Sequence, residues 1–148
     1  NIMMIQSGNA VLFAKQVEGN YPNFNAVIPT EHKLKEVVNK KELMSAINRL
    51  NTINNTSNGL IKFDFSEDSL HINCVDMDFE ISGDEMLSCD GDGKCMIGFE
   101  GEKISNAMNI INTDDAIFHL IDQTKAAIIL NSDEKSTLKI LIMPMLIN

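Results

Sequence analysis

Covalent or metal chemistry in this chain would have to come from a small set of side chains: His71 and Cys74, the further cysteines Cys89 and Cys95, and the acids of Asp90-Gly91-Asp92-Gly93. A metal ion or an activated thiol needs such groups to converge on one point. His71 and Cys74 stand three apart in a run that reads as a strand, where side chains alternate between faces, so the two point away from each other. Cys89 and Cys95 flank a glycine-rich turn and read as core or turn cysteines. Asp90-Gly91-Asp92-Gly93 begins like a calcium loop, but Lys94 and Cys95 stand where an acid or amide and a glycine are required, so it reads as a hairpin turn. No G-x-x-x-x-G-K-[ST], G-x-S-x-G or H-E-x-x-H run occurs. The sequence predicts no catalytic residue, no metal and no cofactor, and an enzyme is a distant reading.

What remains is the chemistry of recognition, and it gathers at the end of the chain. Leu138, Ile140 and Ile142 alternate with Lys139 and Leu141 in a run, Thr137 to Ile147, that reads as a last strand and finishes on Met143-Pro144-Met145-Leu146-Ile147. Chain ends are ordinarily polar and frayed, so a tip this apolar either completes a core or lines a groove for something else. Pro144 cannot donate to a central ladder and must lie at a strand end or edge. On these residues alone the two readings stand level. A formal charge of −9, from 12 Lys+Arg against 21 Asp+Glu with Arg49 as the single arginine, argues against tight binding of nucleic acid by phosphate neutralisation. The three cysteines show no C-x-x-C spacing and point to a reducing compartment rather than a disulfide framework. No apolar run approaches the ~20 residues that span a bilayer, so a soluble, cytoplasmic protein without membrane contact is expected. Asn1 in place of an initiator Met hints at a fragment.

The elements that must position the tail repeat. Leu43, Ala46, Ile47 and Leu50 fall at i, i+3, i+4, i+7, and the spacing returns 61 residues later as Ile104, Ala107, Met108 and Ile111. Both stripes predict amphipathic helices. The first starts at Asn39 as N-cap with Glu42 three residues on and ends in Asn54-Asn55-Thr56-Ser57-Asn58-Gly59; the second runs from near Gly101 to about Asn112. A short strand precedes each, Lys33 to Val38 and Lys94 to Phe99. Three strands follow each: Leu60–Phe65, Leu70–Asp76 and about Asp78–Cys89, broken near Ser82-Gly83, then Asp115–Ile121, Ala126–Leu130 and the tail. Strand, helix, three strands, used twice, predicts an α+β domain with two helices packed on antiparallel sheets. Ahead of it, Ile2–Gln6 and Ala10–Val17 predict a β-hairpin turning at Ser7-Gly8-Asn9, and Gly19 to Pro29 predicts an extended connector that still buries side chains.

Tyr21-Pro22-Asn23-Phe24-Asn25-Ala26-Val27-Ile28-Pro29, Met96-Ile97-Gly98-Phe99 leading into a helix, and the terminal Met143-Pro144-Met145 resemble, in that order, the C-terminal portion of the bacterial DNA polymerase III beta subunit, the sliding clamp. The resemblance implies a DNA-clamp-like fold in which residues 1–29 correspond to the final hairpin and linker of a middle domain and 30–148 to the complete C-terminal domain. It further implies a non-catalytic processivity factor: a homo-oligomeric ring around duplex DNA, held weakly, that docks polymerase and clamp-loader subunits through short peptide motifs.

Carried over position by position, the resemblance implies a partner-peptide groove of Pro22, Ala26 and Val27 from the connector with Leu141, Ile142, Met143, Pro144, Met145 and Leu146 from the tail. Relatives commonly carry basic residues in place of Ala26 and Leu146, so a groove here would be more purely hydrophobic. Met143 and Met145 suit such a slot, since thioether chains repack around different partners. The same comparison implies DNA-facing cations at Lys41, Arg49 and Lys103. It implies a subunit interface of Thr52, Ile53, Asp76, Asp78, Glu80, Asp84 and Glu85. An ordinary solvated helix face and a charge-blunted edge strand account for the same residues. The rival to the clamp reading is a free-standing truncated relative, a protein-protein interaction module that never encircles DNA.

Overall fold

A computed structural model of the chain describes residues 1–53, 59–76 and 79–147. The doubled unit is present. Strand β3 (Leu34–Asn39), helix α1 (Lys40–Ile53) and strands β4 (Leu60–Phe65), β5 (Ser69–Asp76) and β6 (Ile81–Gly91) form the first copy. Strand β7 (Cys95–Glu100), helix α2 (Gly101–Ile110) and strands β8 (Asp115–Leu120), β9 (Ala127–Asn131) and β10 (Lys139–Ile142) form the second. Strands β1 (Ile2–Ser7) and β2 (Ala10–Lys15) make a separate two-stranded hairpin. Its two-residue loop, Gly8-Asn9, begins with Gly8 at φ +57°, the left-handed conformation that tight hairpin turns require. Asp78 and the run after Ile53 lie outside the described residues.

The eight strands β3 to β10 are all antiparallel in the order β10-β9-β8-β3-β6-β5-β4-β7. Each copy sends its first strand to the other copy: β3 pairs along its length with β8, and β7 with β4. This exchange makes the domain one cooperative body, since neither copy completes its sheet alone. The resulting half-sheets, β10-β9-β8-β3 and β6-β5-β4-β7, join where Glu36, Val37 and Val38 of β3 meet Gly91, Asp90 and Cys89 of β6. On the opposite seam, β7 meets the tail through a single bridge, Gly98 to Met145.

Alternation along β4 and β8 turns Ile61, Phe63, Phe65 and Ala116, Phe118, Leu120 inward, and the two helix stripes close over them. Phe63, Phe65, Phe99 and Phe118 are fully buried, with Phe63 and Phe99 meeting edge to face at 5.2 Å. Each such side chain contributes roughly 1.5–3 kcal/mol by leaving water. The helix ends are fixed by local and cross-helix contacts. Asn39 Oδ1 accepts from the backbone N–H groups of Lys41 and Glu42, fixing the α1 start where the sequence places it. Lys40 reaches across to donate to the Ile111 carbonyl at the end of α2. At the other end, the absent side chain of Gly101 leaves room for the Asn51 carboxamide.

Several boundaries differ from the sequence reading, α2 ending at Ile110 and the second hairpin strand at Lys15, and two differences have a clear cause. The β6 strand runs unbroken through Ser82 and Gly83, because Gly83 is there to admit the Ile53 and Leu50 side chains of α1 rather than to break the ladder. The last strand is short: ladder pairing with β9 ends at Ile142, before Pro144.

Candidate partner-docking site

In β10, Ile140 and Ile142 stand opposite Ile129 and Ala127 and face the core, whereas Lys139 and Leu141 stand opposite Leu130 and Ile128 on the outer face. Beyond Ile142 the chain crosses to β7, and Met145 N–H donates to the Gly98 carbonyl at 2.8 Å. A Cβ at position 98 would lie 2.7 Å from Leu60, 2.9 Å from the Met145 carbonyl and 3.0 Å from Ile147, so only glycine lets the tail lie this close to the strand. The tail is thereby held at two points, by the β9 ladder and by Gly98, while a side chain between them and one beyond face solvent: Met143 is 63% and Leu146 80% exposed, against 6% for Ile142. Ile142 thus completes the core, whereas Met143 and Leu146 do not.

A cleft of about 400 Å³ runs between the tail and α2, lined by Leu141, Ile142 and Met143 on one side and Ala107 and Ile110 on the other, with Lys103 at its rim. Ile110 is itself 52% exposed. The sequence stripe for α2 ends at Ile111 and gave no reason to single out Ile110; only its placement beside β10 does so. Gly98 was visible within the Met96 to Phe99 run, although its role in seating the tail needs the bridge to be seen.

The connector residues are placed differently. Pro22 lines a cavity of about 750 Å³ together with Asn1, Gln16 and Val17 at the open end of the hairpin. Ala26 closes a single 3₁₀ turn, Phe24–Ala26, followed by Val27, and both residues are exposed. Tyr21 packs edge-on against Phe24, ring centroids 6.3 Å apart. The connector's far end, Pro29 to His32, lies on the outer face of β8 and β9, in a cleft that Lys139 also lines.

Among the cations assigned to DNA, Lys41 is exposed, whereas the other two are engaged. Arg49 grips both carboxylate oxygens of Glu85 on β6, at 2.5 and 3.0 Å, and this hydrogen-bonded guanidinium holds the Glu85 carboxyl below its ordinary range. Lys103 pairs with Glu100 at 2.6 Å. Of the acids assigned to a subunit interface, Asp76 is buried and accepts from Phe79 N–H. Glu80 and Asp84 are exposed, Asp84 standing 3.8 Å from His71. Thr52 is exposed and bonds back to the Arg49 carbonyl, and Ile53 is half-buried above Gly83.

Burial raises all three thiols, Cys89 to about 12, where the Glu36 carboxylate also opposes ionisation. No group of three or more His, Cys, Asp or Glu side chains able to hold a metal ion occurs among the described residues. No helix among them is long and apolar enough to cross a membrane.

A doubled strand-helix-three-strand domain with exchanged first strands and a tail folded across the seam is the architecture of a DNA clamp domain. Its superposition on a DNA polymerase sliding clamp from Pseudomonas aeruginosa gives a TM-score of 0.91 at 20% identity, over 99% of this chain and 40% of that one. A sliding clamp from Bartonella birtlesii gives 0.91 at 23% identity, over 97% of this chain and 38% of that one. Residues 25–146 match the family described as DNA polymerase III beta subunit, C-terminal domain, and the chain belongs to that family. The beta sliding clamp of Chlamydia muridarum is 27% identical over 123 residues, which cover 80% of this chain and 30% of that protein. The chain thus spans about a third of the length of the curated relatives it matches.

Proposed function

We propose that this chain serves as the C-terminal region of a cytoplasmic replication processivity factor, a non-catalytic accessory subunit that docks polymerase and clamp-loader peptides on the tail and, within a homo-oligomeric ring, encircles duplex DNA. Residues 1–29 supply the last hairpin of the preceding domain and the connector, and 30–148 the C-terminal domain. The observation that carries the docking reading is the half-exposed tail. Met143 and Leu146 stand out of a segment whose neighbours are pinned, beside an apolar cleft, so side chains are presented without the backbone being free. A peptide laid there gains roughly 25 cal/mol per Å² of apolar surface covered. Pre-fixing the tail reduces the ordering cost of binding. With Ala26 and Leu146 in place of basic residues, attraction rests on apolar contact rather than on paired charges.

A fluorescently labelled, glutamine-containing clamp-binding peptide tests this. Its anisotropy rises on titration with the chain, and Met143→Glu weakens the binding at least about tenfold, a loss of ~1.4 kcal/mol, while Lys41→Ala leaves it unchanged. Equal binding by the Met143→Glu protein would remove the tail from the site.

The ion pairs of Arg49 and Lys103 favour a second reading, an interaction module that does not embrace DNA, because they neutralise two of the three helix cations that would meet phosphate. Loading onto nicked circular DNA, with retention after the salt is raised and loss on linearisation, separates a ring from such a module.

A further inference from the structure

The outer face of the sheet, turned away from both helices, carries a feature that neither ring nor groove uses. On β8, His119 stands between Lys35 of β3 and Ile128 of β9. Against it lies His32 of the connector: the two imidazole rings stack with centroids 3.6 Å apart and planes 11° from parallel. One residue further on, Lys33 N–H donates to the Leu120 carbonyl at 2.9 Å, and Pro29 to Glu31 lie over Ile128 in a cleft of about 220 Å³. Upstream, Tyr21 to Val27 are exposed. Attachment of the connector to the domain is concentrated at this stack.

Two neutral imidazoles lie flat on each other at the cost of their hydration alone, and one proton is tolerated because a cation sits well over a π face. Two protons place like charges in van der Waals contact. The surroundings reinforce this. Lys35 and Lys139 flank the pair and Lys33 follows it, while Glu31 on the connector and Asp133 and Glu134 on the β9–β10 turn oppose them from the adjoining clefts. Burial, then His32, Lys35 and Lys139, holds the His119 imidazole below its ordinary pKa.

We propose that the His32–His119 stack is a pH-sensitive latch: at neutral pH it fastens the connector to the outer face of the β3–β8–β9 sheet, and on acidification it lets the connector and the hairpin it carries swing free. The sign follows from linkage. A histidine whose folded pKa is depressed lends its stabilisation above the ordinary value near ~6.5 and loses it as pH falls through the folded one. The latch requires neither peptide docking nor ring closure.

Backbone ¹⁵N relaxation of the full chain between about pH 8 and about pH 5 tests it. The heteronuclear NOE of Thr30, Glu31 and His32 is expected to fall by about half on acidification, while that of β8 and β9 holds steady. The imidazole shifts of His119 are expected to move over the same range as the connector loosens. His119→Phe keeps a flat ring in place without the second charge, and its connector stays ordered across the range. Should that variant fail to fold by circular dichroism, His32→Phe on the exposed connector serves in its place. Connector NOEs that do not change with pH, or a Phe variant that loosens in step with the wild type, would overturn the latch.

Discussion

Gly98 is the residue at which site and fold meet. Its missing Cβ admits the Met145 carbonyl and Ile147, and its own carbonyl accepts the Met145 N–H. Gly98→Ala is therefore expected to destabilise the domain by about 1–3 kcal/mol through overpacking. It should also quicken hydrogen exchange at the Met145 amide, seen in urea titrations and exchange spectra respectively; an unchanged Met145 amide would mean the tail is seated by something else. Glu36 poses a different question at the same scale. Its carboxylate is buried, one oxygen accepts from the Cys89 thiol, the other has no hydrogen-bond partner among the described residues, and burial, only partly offset by the Cys89 thiol and the Asp92 and Gly93 backbone, lifts its pKa above the ordinary 4.5. A carboxyl raised on folding contributes stability below its unfolded pKa and forfeits it as pH rises through the folded one. Glu36→Gln removes the titration, so the stability of the variant relative to wild type should climb as pH is raised above about 4.5, read by urea midpoints; a constant difference would contradict the assignment. Of these residues the sequence shows the types but not the meetings. Arg49 and Glu85 are 36 positions apart, and an ion pair between a helix and a strand leaves no periodic signal.

At the scale of elements, local chemistry was legible and pairing was not. The spacing of Leu43, Ala46, Ile47 and Leu50, with Asn39 ahead of it, places α1 correctly because capping and amphipathicity act within one or two turns. Asn39→Ala should accordingly cost about 1 kcal/mol in thermal or urea unfolding; no loss would mean that Lys40 and the β3 ladder hold the helix start without it. The doubling of strand, helix and three strands is likewise visible, since it repeats within the chain. The exchange of β3 and β7 between the copies is not, because partner choice in a sheet depends on side chains brought together only after folding. The tail reads from sequence as one strand, and the structure divides it for the same reason. Its apolar run continues past Ile142, but the β9 ladder stops there, ahead of Pro144, and Met145 bridges to a different strand.

At the scale of the whole molecule, charge and the tail make separable predictions. With a net charge of −9, and with Arg49 and Lys103 committed to acids, few cations remain to neutralise phosphate, so the isolated chain should bind short duplex DNA only weakly at about 50 mM salt and not measurably at about 200 mM. Anisotropy of a labelled duplex measures this, and tight, salt-insensitive binding would rule out holding by enclosure. The α+β clamp architecture was legible at this scale from order and repetition. The proposed site was legible only in part: Leu141, Ile142 and Met143 border a cleft, yet Pro144, Met145 and Leu146 do not line it, Pro22 lies in a cavity by the hairpin, and Asp76, named for a subunit interface, is buried. The central claim, that the tail is a surface held ready rather than core filling, is tested most directly by methyl NMR on a chain labelled at methionine, titrated with a clamp-binding peptide. Shifts confined to Met143 and Met145, with Met108 in the core unmoved, are the predicted result; shifts only at methionines remote from the tail, or none at saturating peptide, would contradict it.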